Sequence, residues 1–251
     1  MRTAVHVIVA SIVCLSAPGA FAQGFYTGSV GNGNASESSW GGSIDASLTG
    51  TSRGANHASL IGTIAPFSKL EESGVRVRLG GILGSYSYVS ATPGVDTVVG
   101  RESTVSALVG YEWVSQGSSY AAYIGAEGQN RTLSKPDPGN KATGVAIGVK
   151  ASVDFMTNPT ANTMVSGNLT YSSNNSAYYA RLKAGMAMTD KIFVGPEVLL
   201  LGDKFYKQYR VGAHLTGAKF GRLQFGVSGG YLMDRDQGSG AYGILDARVT
   251  F

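Results

Sequence analysis

The stretch Ala241-Tyr242-Gly243-Ile244-Leu245-Asp246-Ala247-Arg248-Val249-Thr250-Phe251 decides how the chain is read. Ala241, Gly243, Leu245, Ala247, Val249 and Phe251 fall on one side of an extended chain; Tyr242, Asp246, Arg248 and Thr250 fall on the other. Apolar and polar residues alternating with period two mark a strand, because successive side chains point to opposite faces. The pattern recurs upstream. Tyr209, Val211, Ala213 and Leu215 alternate with Arg210, Gly212, His214 and Thr216, and Val145 through Phe155 alternate with Ala146 through Asp154. Twelve segments follow this rule, at about 40–49, 55–67, 74–88, 99–114, 118–133, 141–155, 161–172, 177–189, 191–202, 206–219, 222–233 and 240–251. Those around 55–67 and 190–202 are less regular, since Leu199, Leu200 and Leu201 are consecutive. None has the 3.6-residue period of a helix.

Composition narrows the class. The 251 residues include 36 glycines, roughly twice the usual share, while only 14% are charged, against a usual value of about 25%. With 43% hydrophobic residues the chain is too apolar for a disordered tail. One cysteine excludes a disulfide framework, and three histidines leave little for a zinc enzyme. No metal site and no cofactor is expected. The basic residues are dispersed, so a pI of 9.1 does not imply nucleic acid.

Residues 1–22 read as a secretory leader. Arg2 supplies the positive start, an apolar run extends from Ala4 to Leu15, and Ala20-Phe21-Ala22 offers an A-x-A cleavage site. The run is shorter than the about 20 residues a membrane-spanning helix needs. Residues 23–251 are then the folded protein.

The spacing of the twelve segments predicts an antiparallel, up-and-down transmembrane β-barrel. Each segment is near or above the 9–11 residues with which a tilted strand crosses a bilayer. The connections after segments 4, 6, 8 and 10 are short (Ser115-Gln116-Gly117, Thr157 to Thr160, Asp190, Phe220-Gly221), and most of those after odd segments are longer and more polar. That asymmetry is the arrangement of outer-membrane barrels, and an even strand count puts both termini at the short-turn, periplasmic end. Only the turn Ser68 to Ser73, after segment 2, breaks the rule. Trp113, Phe155, Tyr231 and Phe251 lie near segment ends, where membrane-interface aromatics belong. The competing soluble β-sandwich needs an abundant charged outer face, which this composition lacks. The expected location is the outer membrane, as a monomer in contact with its lipid.

With the apolar face in lipid, the other face lines the lumen. It carries Arg76, Arg78, Glu102, Glu112, Glu127, Arg131, Lys150, Asp154, Arg181, Lys183, Glu197, Arg210, Asp246 and Arg248, eight bases and six acids. Buried charges persist when paired, so a salt-bridged interior is the plain reading and a charge-lined permeation path the sharper one. Twelve strands enclose less room than a 16–18-stranded porin. His57 falls in the first long-loop region, where a solvated role is expected. His214 falls on the lumen face as a hydrogen-bonded structural histidine. Neither supports a catalytic triad, and no catalytic residue is assigned.

Several motifs point to a family. Gly110-Tyr111-Glu112-Trp113-Val114, Ala122 to Glu127 followed by Pro136-Asp137-Pro138, Val194-Gly195-Pro196-Glu197, Leu201-Gly202, Tyr206, Arg210-Val211-Gly212 and the closing stretch to Phe251 together resemble the BcsS-type cellulose-biosynthesis proteins of Gram-negative bacteria, over residues 105–251. The resemblance implies a part in making or exporting cellulose, and cellulose chains and the synthase's export machinery as partners. It implies no reaction, and points to Glu127, Glu197, Tyr206 and Arg210 without fixing their roles. Cellulose is uncharged, so aromatic stacking and hydroxyl hydrogen bonds would recognise it. That makes Glu127, Arg131, Tyr179, Glu197, Tyr206, Arg210 and Tyr242 the lumen positions to follow. The expectation is a non-enzymatic accessory barrel. The alternatives are a narrow porin for small solutes and an outer-membrane enzyme acting on lipid or glycan.

Overall fold

The computed structural model describes residues 40–251, except 91, 93–95, 141, 190 and 236. The leader at 1–22 and the turn residue Asp190 therefore lie outside the described residues. Twelve strands follow in order: β1 (Gly41–Thr51), β2 (Asn56–Ala65), β3 (Gly74–Val89), β4 (Thr97–Ser115), β5 (Ser118–Leu133), β6 (Gly144–Thr160), β7 (Thr163–Ser172), β8 (Ala177–Thr189), β9 (Ile192–Gly202), β10 (Lys207–Phe220), β11 (Leu223–Asp234) and β12 (Gly238–Thr250). Every strand pairs antiparallel with its sequence neighbours, and β1 pairs with β12, so the sheet closes into a barrel. The closing ladder runs from Ser43 opposite Thr250 to Thr51 opposite Tyr242. Gly42 and Phe251 exchange both backbone hydrogen bonds at its end.

Burial is inverted relative to a water-soluble protein. Leu48 is 55% exposed, Ile124 58% and Ile147 83%, whereas Arg76 and Asp246 are fully buried. An apolar outer wall around a charged interior is stable only where hydrocarbon replaces water outside, and closure then leaves no strand edge with unsatisfied N–H and C=O groups. This excludes the sandwich. It also resolves the irregular leucine run: Leu199 and Leu201 point into the barrel and Leu200 points out, so the alternation is intact.

Two-residue turns at 116–117, 161–162 and 221–222 follow β4, β6 and β10, and only two residues separate β8 from β9; 66–73 is the exception, and the connections after odd strands are longer. The segment from Thr157 to Thr160 is not the turn its Asn158-Pro159 pair suggests. It extends β6, with a register shift between Thr157 and Thr160 that absorbs the proline. Proline lacks the ladder donor, and an irregular pairing is where a strand tolerates it. A second irregularity falls between Thr216 and Ala218, where Gly217 takes a φ of +102° that a side-chain-bearing residue avoids.

The long turn 66–73 folds inward under the short-turn end. Arg76, fully buried, donates from its guanidinium to Ser68 Oγ and to the carbonyls of Lys69, Leu70 and Glu72, and pairs with Glu112 at 2.8 Å. Leu70 is buried against the start of β1. The turn is long enough to bring three of its carbonyls onto the Arg76 guanidinium.

Candidate functional site

The lumen is built by the even-numbered residues of β4, β6, β7, β10, β11 and β12, the odd-numbered residues of β1, β2, β5, β8 and β9, and Arg76 and Arg78 of β3, the direct product of period-two alternation. Of the charged residues read onto this face, all are buried except Arg78, which keeps slight exposure. The interior also holds Asp45, Asp203 and Asp234, which the sequence reading missed. Asp45 follows the alternation of a β1 whose polar face is mostly serine and threonine. Asp203 sits in a connection, where no periodicity points to it. Asp234 ends its strand.

Three charged clusters bridge the lumen, beside separate ion pairs along its wall. In the first, Arg181 contacts Glu197 at 2.6 Å and Asp246 at 3.1 Å, and Lys183 lies 3.8 Å and 3.5 Å from the same two carboxylates. Ser228 and Tyr242 donate to Glu197 at 3.0 Å each, and Ser47 donates to Asp246 at 2.8 Å. Two bases and two acids are thus neutralised together, from β8, β9 and β12. In the second, Arg78 of β3 reaches Asp154 of β6 at 2.6 Å and stacks over the Tyr123 ring at 3.7 Å. In the third, Arg131 of β5 pairs with Glu102 at 2.8 Å and with Asp203 of the β9–β10 connection at 3.0 Å, while Lys150 pairs with Glu127 at 2.7 Å. Arg248 lies 3.6 Å from Asp45. The Arg181–Asp246, Arg78–Asp154 and Arg131–Asp203 contacts are chords across the lumen, since their strands are not neighbours.

Connections fold in at the long-loop end. Asp203 Oδ1 accepts from the backbone N–H groups of Phe205 and Tyr206 while its other oxygen binds Arg131. Asn174 is buried, and its amide donates to the Glu127 carbonyl. Asp137 accepts from the Thr92 and Tyr88 hydroxyls at 2.8 Å each, and these hydrogen bonds hold its carboxyl below the usual aspartate range.

Below this rim lies a patch of a different kind. Ala177, Tyr179, Leu199, Leu201, Leu232, Tyr242 and Ile244 pack together inside the barrel, with Tyr206 against them. Arg210 sits beside it: its Nε donates to Gln208 Oε1 at 2.5 Å, and its guanidinium lies 5.4 Å from the Tyr242 ring centroid. Gly212 leaves room here, since a Cβ would stand 2.6 Å from the Tyr242 hydroxyl and 2.3 Å from the Gly229 carbonyl.

The seven lumen positions followed from the sequence therefore divide. Tyr179, Glu197, Tyr206, Arg210 and Tyr242 gather around β8–β12, while Glu127 and Arg131 belong to the opposite wall on β5. His57 is a correction. It is the second residue of β2, points inward and is 5% exposed, because the strand begins immediately after Ala55 rather than after a long loop. His214 is placed as expected, with Nδ1 3.0 Å from Thr216 Oγ1 and Nε2 3.1 Å from the Ala184 carbonyl. Among the described residues no group of three or more His, Cys, Asp or Glu side chains could hold a metal ion. On the outside, Trp113, Tyr231 and Phe251 are exposed, and Phe155 stacks on Tyr120.

A closed antiparallel ladder, an apolar outer wall and a charge-filled lumen define a transmembrane β-barrel of the outer-membrane type. Among solved structures the chain is similar to the transport unit of the autotransporter AIDA-I from Escherichia coli, at 10% identity over 89% of this chain and 95% of that one, TM-score 0.50. It is also similar to the translocator domain of the autotransporter NalP from Neisseria meningitidis, at 13% identity over 84% and 88%, TM-score 0.46. A third similar structure is the KdgM porin, at 10% identity over 83% and 99%, TM-score 0.43. At these identities the likeness concerns the fold alone. Comparison with curated protein sequences found no match. The sequence matches the cellulose biosynthesis protein BcsS family over residues 25–251, and the chain belongs to that family. The match extends beyond the 105–251 span of the resemblance, so the first four strands belong to the family pattern as well.

Proposed function

We propose that this BcsS-family barrel is a non-enzymatic accessory of cellulose production that rests closed. It resides in the outer membrane as a monomer with both termini in the periplasm. There it serves the export machinery as a docking element rather than as a free water-filled pore. One observation carries this reading: the lumen cations of β3, β5, β6, β8 and β12 are bound to carboxylates, three of them by chords across the interior. A water-filled path keeps its charges solvated along the wall; cross-lumen pairs fill the path instead. Trp113, Phe155 and Phe251 on one rim and Tyr231 on the other anchor the barrel in the two lipid interfaces. The leader at 1–22 accounts for export.

The test has two arms. Purified full-length protein in planar bilayers is expected to show no sustained conductance, and a steady ohmic open state would overturn the closed lumen. Removing the protein from a cellulose-producing cell is expected to lower secreted cellulose, and unchanged output would overturn the role.

A further inference from the structure

Arg210 differs from every other base on the lumen face. Arg76, Arg78, Arg131, Lys150, Arg181, Lys183 and Arg248 each lie within 4.0 Å of a carboxylate. Arg210 lies on none among the described residues: its one hydrogen bond runs from Nε to Gln208 Oε1, and its two terminal nitrogens meet no acceptor. Yet it is only 5% exposed. A buried guanidinium without a counter-charge is costly, and such groups facing a cleft are enriched at binding sites.

A second group beside it is in the same condition. Tyr179 is 3% exposed, and its hydroxyl, bonded to no side chain or carbonyl among the described residues, is not one of the fully enclosed unpartnered atoms and so faces the lumen space. Tyr179 and Arg210 lie within electrostatic reach of each other. The neighbouring tyrosines are committed elsewhere, Tyr242 to Glu197 and Tyr206 to Asp234. Their rings, with Leu201 and Leu232, leave an apolar wall around the two free polar groups.

The position is reachable. Tyr179 is the third residue of β8 and Arg210 the fourth of β10, both counted from the long-loop end. At about 3.3 Å per residue they lie roughly 10 Å inside the mouth. Tyr206, in the connection above them, is only half-buried.

From this we infer that the lumen holds, between Arg210 and Tyr179, a binding site for an acidic saccharide. The free fork of the guanidinium takes a carboxylate in bidentate fashion, the Tyr179 hydroxyl donates to a ring or hydroxyl oxygen, and the tyrosine and leucine walls cover the apolar face of the sugar. A neutral glucan satisfies the walls and leaves the guanidinium without its anion, so the site prefers a uronate to cellulose itself. The inference does not rest on the closed lumen or on any role in cellulose output, because it is read on the purified protein.

The experiment titrates the full-length protein in detergent with cellohexaose and with the same hexamer oxidised at C6 to carboxylates. Inorganic phosphate is the competitor. The oxidised hexamer is expected to bind about tenfold or more tightly than cellohexaose, the range of a hydrogen bond to a charged group. R210M removes that preference, R210K restores part of it, and Y179F weakens the oxidised hexamer severalfold. Equal binding of the two hexamers, no binding of either, or a preference that survives R210M overturns the site. Phosphate binding as tightly as the oxidised hexamer overturns its saccharide character. Unheated gel mobility confirms folding, and if R210M fails that check, R210K and Y179F carry the test.

Discussion

The lower and upper parts of the lumen solve opposite problems with the same residue types. Toward the short-turn end Arg76 is saturated by Glu112, by Ser68 and by the carbonyls of the inturned 66–73 loop. Toward the long-loop end Arg210 holds a single glutamine oxygen and faces tyrosine rings. A saturated arginine is structure: it fixes a loop. An unsaturated one at equal burial marks a place where the fold leaves an interaction unmade. The difference between the two ends teaches that charge count alone says little about a barrel interior, and that partner count says which charges are free to act.

The contrast can be broken most severely in the middle layer. Glu197→Ala removes one of the two carboxylates that Arg181 and Lys183 share and strips an acceptor from Tyr242 and Ser228; breaking a buried pair on one side costs about 3–5 kcal/mol. The expected result is a large drop in the temperature at which unheated gel mobility is lost. Arg76→Ala is expected to cost about 3 kcal/mol by the same mechanism and to free the 66–73 loop, seen as new protease cleavage between Pro66 and Ser73. Gly212→Ala drives a methyl against the Gly229 carbonyl and the Tyr242 hydroxyl, an overpacking of about 1–3 kcal/mol readable in the same melting assay. Arg210→Met should fall within about 1 kcal/mol of the wild type, because no ion pair is lost; a loss as large as that of Arg76→Ala would erase the distinction between the two ends.

The smallest expected effect depends on pH. Asp137 is held below the ordinary aspartate value by the Thr92 and Tyr88 hydroxyls, so its tether is complete above that value and is lost as pH falls through the depressed one. Lower protection against hydrogen exchange over residues 134–140 at low pH, measured relative to the intrinsic rate, with pH-independent protection in Asp137→Asn, is the expected pattern.

Most of the architecture was legible because period two is written in every strand. The reading faltered where inward residues are apolar. Leu199 and Leu201 serve the lumen patch, so a rule that equates apolar with outward finds three leucines in a row and loses the face. It also faltered at Thr157 to Thr160, where Asn-Pro reads as a turn until a neighbouring strand shows it to be an irregular ladder. The charged lumen was legible by alternation, but its pairing was not. Which arginine meets which carboxylate depends on chords between distant strands, and Asp203, the anchor of one chord, lies outside any periodic segment. The odd length of 66–73 was visible and its cause was not, since the explanation lies in Arg76, a residue of the next strand.

The closing ladder between β1 and β12 has a consequence for how the molecule is made. Its partners, such as Ser43 and Thr250, stand at opposite ends of the folded chain, whereas every other ladder joins consecutive strands. Local hairpins form quickly and pairings distant in sequence form slowly. The seam is therefore the last joint to form, and until it does β1 and β12 both present open edges that can recruit another chain. The kinetic hazard of this barrel is concentrated in one place, at the meeting of Gly42 and Phe251.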